Sequence, residues 1–333
     1  MLQNCAGIVQ YDDSMAVEGI EFAKDDILLA NIRPYLKKIW KATFNGACST
    51  DVLAMHIYNA LPDFIYFLME NDDFFTYVMS SAKGSKMPRG DKQHIMGYHI
   101  SLPSLKEQQK IATLFEIIDK RIVKQRVLIE NLKSYKRGAK NKFFDNPNND
   151  WKEVPLSTIL TERKSYCEKD GTYPHATLSK EGVSAKTERY DRDYLVSSDN
   201  KKYKITHYGD ICYNPANLKF GVICLNSFGD AIFSPIYVTF EVNEQYDTYF
   251  IGDCVTHTDF INKALQFQQG TVYERMAVSP EDLLSMAIKV PSLAEQVRIA
   301  KCLQSYDLLI EKHVAILTNL VSMKKSLLSQ LFI

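Results

Sequence analysis

Two long stretches of the chain share one pattern of apolar and polar positions, 188 residues apart. Apolar side chains recur at alternating spacings of four and three, the period of a coiled-coil helix. The first series predicts a helical seam through Ile111, Ile118, Ile122, Ile129 and Leu132. The second predicts a seam through Ile299, Leu303, Ile310, Leu317, Leu320 and Leu327. Polar residues interrupt both series at matching places, Gln125 with His313 and Lys136 with Lys324.

The two helices are predicted to begin at a repeated motif, Pro-Ser-Leu-Lys-Glu-Gln at residues 103–108 and Pro-Ser-Leu-Ala-Glu-Gln at 291–296. Ser104 and Ser292 are suited to cap the first backbone N–H groups, and Glu107 and Glu295 to reach back to the caps. A 3.5-residue repeat of this length needs a partner helix, and each copy is the obvious partner of the other. We expect an antiparallel pair in which the matched polar breaks do not face each other.

The repetition extends into the segments that precede the helices. Residues 25–28 (Asp-Asp-Ile-Leu) resemble residues 209–212 (Gly-Asp-Ile-Cys), and Gly84-Ser85 with Arg89 resemble Gly270-Thr271 with Arg275. Each half also has short strand-like runs and an aromatic-rich helical segment, at 63–82 and 246–269. We predict an α+β fold in which two mixed α/β globules are separated by a long antiparallel two-helix coiled coil. The predicted boundaries are 1–102, 103–145, 146–290 and 291–333.

The two globular halves are unequal in length. The second has about 64 residues before Asp210, whereas the first has 25 before Asp26. The first half therefore has no counterpart of the stretch from Trp151 to about Ser184. Either the first globule is truncated, or the start of the chain was misassigned, or the corresponding element comes from elsewhere.

Composition narrows the protein class. The chain has 40 basic and 40 acidic residues, and its seven cysteines form no Cys-x-x-Cys pair. Reduced thiols in the cytoplasm are the simplest interpretation, and no metal is expected. No run is apolar enough to span a membrane, and residues 1–10 do not resemble a signal peptide. Residues 106–142 carry eleven basic and four acidic side chains, which is typical of a solvated helix face.

Motifs for catalysis are absent from the sequence. There is no Gly-x-Gly, so neither a dinucleotide fingerprint nor a glycine-rich cofactor loop is present, and there is no Walker A sequence. The tetrad Asn-Pro-Ala-Asn at 214–217 lacks the second proline and the aromatic residue of an adenine methyltransferase, so we interpret it as a turn. We therefore expect a binding protein with no catalytic residues and no cofactor.

The repeated helix starts and their heptads resemble the DNA specificity subunit of type I restriction–modification enzymes. The stretch from Asp26 to Ile39 is similar to a strand and loop common in the recognition domains of that family. The resemblance implies two target-recognition domains, each reading one half of a split DNA sequence. It also implies a non-catalytic subunit whose partners are double-stranded DNA, two methylation subunits and a restriction subunit. By this resemblance the first recognition domain lacks its start.

The same resemblance directs attention to basic and polar loop residues as DNA contacts, since phosphate contacts position a protein and base-edge contacts specify sequence. In the first half the candidates are Arg33, Lys37, Lys86 and Arg89. In the second half they are Lys201, Lys202, Asn217, Lys219, Tyr273 and Arg275. Arg89 and Arg275 match across the repeat, and each follows a glycine that permits close backbone approach.

Two alternatives retain the helices. One is a coiled-coil scaffold whose globules bind proteins and which has no role with DNA. The other is a degenerate specificity subunit in which only one recognition domain works. Salt-dependent DNA binding separates the first alternative from DNA recognition, because neutralisation of phosphates produces a steep dependence on salt.

Overall fold

The computed structural model describes residues 1–8, 19–145, 150–168, 171–186, 202–268 and 276–332. The chain divides into two units, and each takes part of both long helices. The first unit comprises Met1–Glu130 with Lys312–Ile333, and the second comprises Asn131–Glu311.

The first unit builds a small antiparallel sheet against helices. Its strands are β1 (Ile20–Phe22), β2 (Ile27–Ala30), β3 (Ile39–Lys41), β4 (Gly46–Cys48) and β5 (Val52–Met55). Its short helices are α1 (Pro62–Glu70), α2 (Asp72–Ser80) and α3 (Lys92–Met96), followed by the long helix α4 (Leu105–Phe144). Strand β2 lies between β3 and β5, and β1 pairs with β4. The largest core of this unit joins the sheet, α1 and α2 to the beginning of α4.

The second unit repeats this plan with more strands. Its elements are β6 (Lys152–Pro155), α5 (Leu156–Ile159), β7 (Leu160–Glu162), β8 (Tyr166–Cys167), β9 (Ala176–Ser179), β10 (Gly182–Ala185), β11 (Tyr203–Thr206), β12 (Ile211–Tyr213), β13 (Ile223–Leu225), β14 (Ala231–Phe233), β15 (Val238–Val242), α6 (Thr248–Val255), α7 (Thr258–Ala264), α8 (Pro280–Ser285), β16 (Ala287–Val290) and α9 (Leu293–Leu331). The central sheet has the order β13-β12-β15-β7. Strands β13, β12 and β15 correspond to β3, β2 and β5, so the repeat is structural as well as sequential.

Each aromatic-rich segment, predicted to be helical, contains two α-helices, α1 and α2 in the first unit and α6 and α7 in the second. Asn71 has extended backbone, so it ends α1, and its side chain accepts a hydrogen bond from the N–H of Asp73 at the start of α2. His257 occupies the same kind of break before α7. Most phenylalanines of both segments are buried in their cores, as the helical spacing predicts, whereas Phe267 at the end of the second is exposed.

Both long helices begin at the predicted motif, but the two capping boxes differ. In the first, the N–H of Glu107 donates to Ser104 Oγ (3.4 Å) and the N–H of Ser104 donates to the Glu107 carboxylate (3.1 Å). In the second, Ser292 accepts from Glu295, but the Glu295 carboxylate binds Arg298 (2.6 Å) instead of returning to the cap. The prediction that Glu295 reaches back to its cap is therefore wrong. Arg298, three residues further along the helix, competes for the Glu295 carboxylate.

Within each unit the two long helices run antiparallel. Lys324 contacts Asp119 in the first unit (2.7 Å), and Lys136 contacts Asp307 in the second (2.7 Å). These pairs are equivalent across the repeat. The amide of Gln125 donates to the backbone carbonyl of His313 (2.8 Å), so these two breaks face each other, contrary to expectation. When two copies of one sequence pack antiparallel, a residue at the middle of the paired stretch faces the equivalent residue of the other copy. Residues away from the middle face other positions. No helix in the described ranges is long and apolar enough to cross a membrane.

The last residue of each helix-start motif forms a clamp that the sequence pattern did not reveal. Gln108 accepts from the N–H of Leu61 at the start of α1 (2.9 Å) and donates to the carbonyl of Pro103 (2.9 Å). Gln296 does the same with Asp247 at the start of α6 (3.0 Å) and with Pro291 (3.0 Å). Both glutamines are buried. Each clamp satisfies one orphan donor at a helix N-terminus and ties a globule to its long helix.

Removing one clamp should destabilise its unit. The Gln108→Ala change leaves the N–H of Leu61 and the carbonyl of Pro103 without their partner, which costs about 1–3 kcal/mol. The matched control is Gln109→Ala, because the Gln109 side chain is exposed and bonds only Thr113 within the same helix. Urea denaturation followed by circular dichroism measures the difference. Equal midpoints for the two variants would contradict a structural role for the clamp.

Candidate nucleic-acid interface

The interface residues follow a turn that is the same in both units. Asp25 and Gly209 both adopt positive φ, at 72° and 89°, which opens the turn before the central strand. The next residue, Asp26 or Asp210, is buried and accepts a backbone N–H through its carboxylate at 2.8 Å. The turn thereby orients the strand and the loop that leaves its far end, where the candidate DNA contacts lie.

A main-chain connection brings three of the first unit's candidates together. Ile32 forms an isolated antiparallel β-bridge with Arg89, and the N–H of Arg33 donates to the carbonyl of Pro88 (2.8 Å). Lys86 lies within the loop that the reciprocal Lys83 and Arg89 hydrogen bonds close (2.9 Å each). The side chains of Arg33, Lys86 and Arg89 are exposed. The loops therefore present two guanidinium groups and one ammonium group to solvent from connected backbone.

Arg89 has a partial counter-charge. Its guanidinium lies 3.1 Å from Asp51, and both side chains are largely exposed. An exposed ion pair of this kind is worth little, at about 0–1 kcal/mol. The pair therefore orients Arg89 without preventing it from binding a phosphate or a base edge.

Lys37 stabilises the fold and is less available to DNA than the other three candidates. Its ammonium hydrogen-bonds Asp72 and lies 5.8 Å from the centre of the Phe75 ring. The hydrogen bond from Lys37 lowers the pKa of Asp72. A DNA phosphate at Lys37 would have to compete with this carboxylate, which makes Lys37 the weakest of the four candidates in the first unit.

In the second unit, Asn217 and Lys219 lie on the 3-10 helix Pro215–Phe220, which directly follows β12. The Lys219 ammonium lies 5.0 Å from the centre of the exposed Phe220 ring. Lys202 is exposed just before β11. Lys201, Tyr273 and Arg275 fall outside the described residues, so their roles remain predictions.

An open groove of about 750 Å³ adjoins Lys219. Its walls come from the turn before β10, the loop before β13 and one face of α7, with Lys180 and Glu181 at the rim. Lys204 is buried and paired with Glu162 (3.2 Å), so it contributes no exposed charge. The sequence alone does not distinguish it from the exposed Lys202. The arrangement suits contact with a charged backbone, with the Phe220 ring in its wall.

Exposed aromatic residues complete the two candidate surfaces, and the sequence reasoning missed them. Tyr35 follows Arg33 on the 3-10 helix of the first unit, and Phe220 follows Lys219 on that of the second. Both are exposed, although such side chains usually lie in cores. Their position beside a basic residue and a proline-initiated turn is the signal that distinguishes them from core aromatics.

Among the residues that the structure describes, no three His, Cys, Asp or Glu side chains group as a metal site would require. None of the seven cysteines forms a disulfide bond with another. In the second unit Arg163 binds the buried Asp210 through Nε (2.9 Å) and Nη2 (3.0 Å), and these hydrogen bonds raise the pKa of Arg163. That pair holds the turn in shape and is too enclosed to serve as a ligand site.

Comparison with known proteins agrees with this geometry. Residues 16–132 match the family model described as the type I restriction modification DNA specificity domain. A 107-residue segment is 28% identical to the type I restriction enzyme EcoDI specificity subunit of Escherichia coli, covering 32% of this chain and 23% of that subunit. The matched segment thus spans less than a quarter of the curated relative's length.

Two solved structures share the fold. The type I restriction–modification S subunit from M. genitalium covers all of this chain at a TM-score of 0.59 and 15% identity, with 90% of its own chain aligned. A chain from a structure of type I restriction–modification complex assembly and conformational transition covers 95% at a TM-score of 0.58 and 16% identity, with 84% of its own chain aligned. Residues 16–132 thus match a type I restriction modification DNA specificity domain, and the chain shares the fold of a solved type I S subunit.

Proposed function

We propose that this protein selects the DNA target of a type I restriction–modification complex by reading a bipartite sequence, one half-site per unit. The observation that carries the proposal is the repeated turn, strand and loop that presents exposed basic side chains, such as Arg33 and Lys219, in each unit. Specificity subunits are the non-catalytic, DNA-recognising components of these systems. The proposed recognition domains are residues 1–102 and 146–290, with the conserved helices at 103–145 and 291–333.

The helices offer surfaces for the proposed protein partners. In the first unit Ile117, Val123 and Val127 are exposed on α4, and in the second Leu308 and Leu309 are exposed on α9. Exposed apolar side chains that recur along a helix mark protein contact sites. We propose that two methylation subunits dock along these helices and that a restriction subunit joins the resulting complex in the cytoplasm.

Co-expression with the methylation subunit of the same locus tests this function. Methylated adenines are then mapped across the host genome. The expected result is one motif made of two defined half-sites with a constant gap. An uninterrupted motif would contradict bipartite reading, and the absence of added methylation with a correctly assembled complex would contradict DNA recognition. A protein-only scaffold predicts assembly without any sequence motif.

Arg89 should contribute to one half-site only. The Arg89→Ala change is expected to weaken binding to the mapped target by about 1–3 kcal/mol and to relax one base position if the guanidinium contacts a base edge. The matched control is Asp51→Ala, which removes the counter-charge and should preserve or strengthen binding. Fluorescence anisotropy on target and random duplexes measures both. Equal losses on the two duplexes would reduce Arg89 to a phosphate contact, and no loss would remove it from the interface.

A further inference from the structure

A short segment of the second unit, residues 151–163, packs against the sheet and core of its globule. Strand β6 pairs antiparallel with β16, with Val154 opposite Ile288 and Lys152 opposite Val290. Leu156 donates its N–H to the carbonyl of Met286 (2.8 Å) and its side chain is fully buried. The chain then continues through α5 into β7, which pairs with the outer edge of β15.

Aromatic and ionic contacts anchor both ends of this segment. At its beginning, the Trp151 ring lies 5.7 Å from Phe250 and 6.4 Å from Phe144, measured between ring centres. At its end, Arg163 binds the buried Asp210 of the repeated turn. The segment from Trp151 to Arg163 is therefore integral to the second globule.

The first unit has the receiving surface for such a segment. Its residues 99–102 are equivalent to β16 by the 188-residue repeat but form no strand, and no described residue pairs with them. Ile100 is 38% exposed where Ile288 is 6% exposed, and Leu102 is 47% exposed where Val290 is 5% exposed. Two apolar side chains that the second unit covers are thus uncovered in the first.

A cavity of about 540 Å³ lies at these residues. Ile100 and Leu102 form part of its wall, together with Phe64 and Phe332. Phe64 and Phe332 correspond to Phe250 and Phe144, and their rings are 5.2 Å apart. The cavity therefore contains the two aromatic residues that hold Trp151 in the second unit, without a described tryptophan beside them.

The other contacts of the segment also have open counterparts. Met55 pairs with Ile27 as Phe240 pairs with Ile211, but β5 is the edge strand of its sheet where β15 has β7 beside it. Asp26 is buried like Asp210, and among the described residues its ionic partner is the exposed His56 at 2.7 Å. An arginine equivalent to Arg163 can thus bind the Asp26 carboxylate by displacing the exposed His56 imidazole.

We infer that the first unit binds a segment of another polypeptide that has the pattern of residues 151–163: an aromatic residue, an extended stretch, a short Pro-Leu-x-x-Ile helix and a terminal arginine. The segment would add a strand to residues 99–102, fill the cavity with its aromatic and leucine side chains, and place its arginine on Asp26. Strand addition provides backbone hydrogen bonds, and the alternate side-chain pockets provide selectivity.

The probe is a synthetic peptide with the sequence of residues 150–164 of this chain, added to the full-length protein. Isothermal titration calorimetry is expected to show one peptide per chain. The Ile100→Asp change should weaken binding at least about tenfold, which is roughly 1.4 kcal/mol. The matched control is Ser101→Asp, because the equivalent Lys289 is exposed and its side chain faces away from the core. A peptide carrying Leu156→Asp should also bind at least about tenfold more weakly.

Hydrogen exchange locates the peptide independently of affinity. Amides at residues 99–102 and along β5 should exchange more slowly when the peptide is bound, and amides of β15 and β16 should be unchanged. No binding at millimolar peptide, or equal affinity for the Ile100→Asp and Ser101→Asp proteins, would overturn the inference. Because the assay contains no DNA, its failure would leave the proposed DNA recognition untouched.

Discussion

Replacement of Ile122 by Asp should lower the stability of the first unit by roughly 3–5 kcal/mol. Ile122 is 6% exposed and packs with Phe115, Ile118 and Leu328 in the core that joins α4 to α9. The change removes apolar packing and buries a carboxylate that has no partner there. For a unit of this size the loss corresponds to a melting temperature lower by roughly 10 °C.

The neighbouring residue provides a control with the same chemistry. Val123 is 56% exposed, so Val123→Asp adds the same charge to the same helix turn without burying it. We expect a change within about 0.5 kcal/mol, as for other surface substitutions. Differential scanning calorimetry of the two variants measures the difference. Similar melting of both would show that Ile122 does not lie in the helix seam.

Loss of Lys324 should lower the free energy of unfolding more than loss of Lys136, its equivalent in the internal repeat. It binds Asp119 and the buried Glu70 (2.6 Å), whereas Lys136 binds Asp307 near the surface. Lys324→Ala leaves Glu70 buried and uncompensated, a situation that costs about 3–5 kcal/mol. Lys136→Ala removes a solvated pair and should cost no more than about 1 kcal/mol. The internal repeat thus supplies the control, and equal losses measured by urea denaturation would refute the asymmetry.

The loss at Lys324 should also depend on pH. Burial raises the pKa of Glu70 to about 7 even with Lys324 beside it. Removal of Lys324 removes the main interaction that lowers this pKa, so the folded variant takes up a proton more readily than the unfolded chain. In both proteins the protonated carboxyl favours the folded state at acid pH, but as pH rises above about 7 only the variant continues to lose stability, because its Glu70 is still protonated when folded. The gap between variant and wild type should narrow at pH 5 and widen at pH 8. A gap that is constant with pH would show that Glu70 does not carry the effect.

Equivalent turns at Asp26 and Asp210 were recognisable in the sequence because they need particular residues. Positive φ at the preceding position suits glycine or aspartate, and the following carboxylate must accept the turn's N–H. The basic candidates near these turns were predictable as a class but not one by one. Lys37 and Lys204 are as basic as Lys86 and Lys202, yet a carboxylate from a distant part of the chain neutralises each of them.

Periodicity and capping by themselves predicted the two long helices and their starts, because these depend on interactions three or four residues apart. The same local logic predicted strands such as Ile27–Ala30 and Ile211–Tyr213, which the structure confirms. Only the tertiary structure decided that Gln125 meets His313, that Gln108 and Gln296 clamp the globules, and that residues 99–102 lie uncovered. Each of these depends on which distant residue arrives beside a given side chain, and a local pattern carries no information about that.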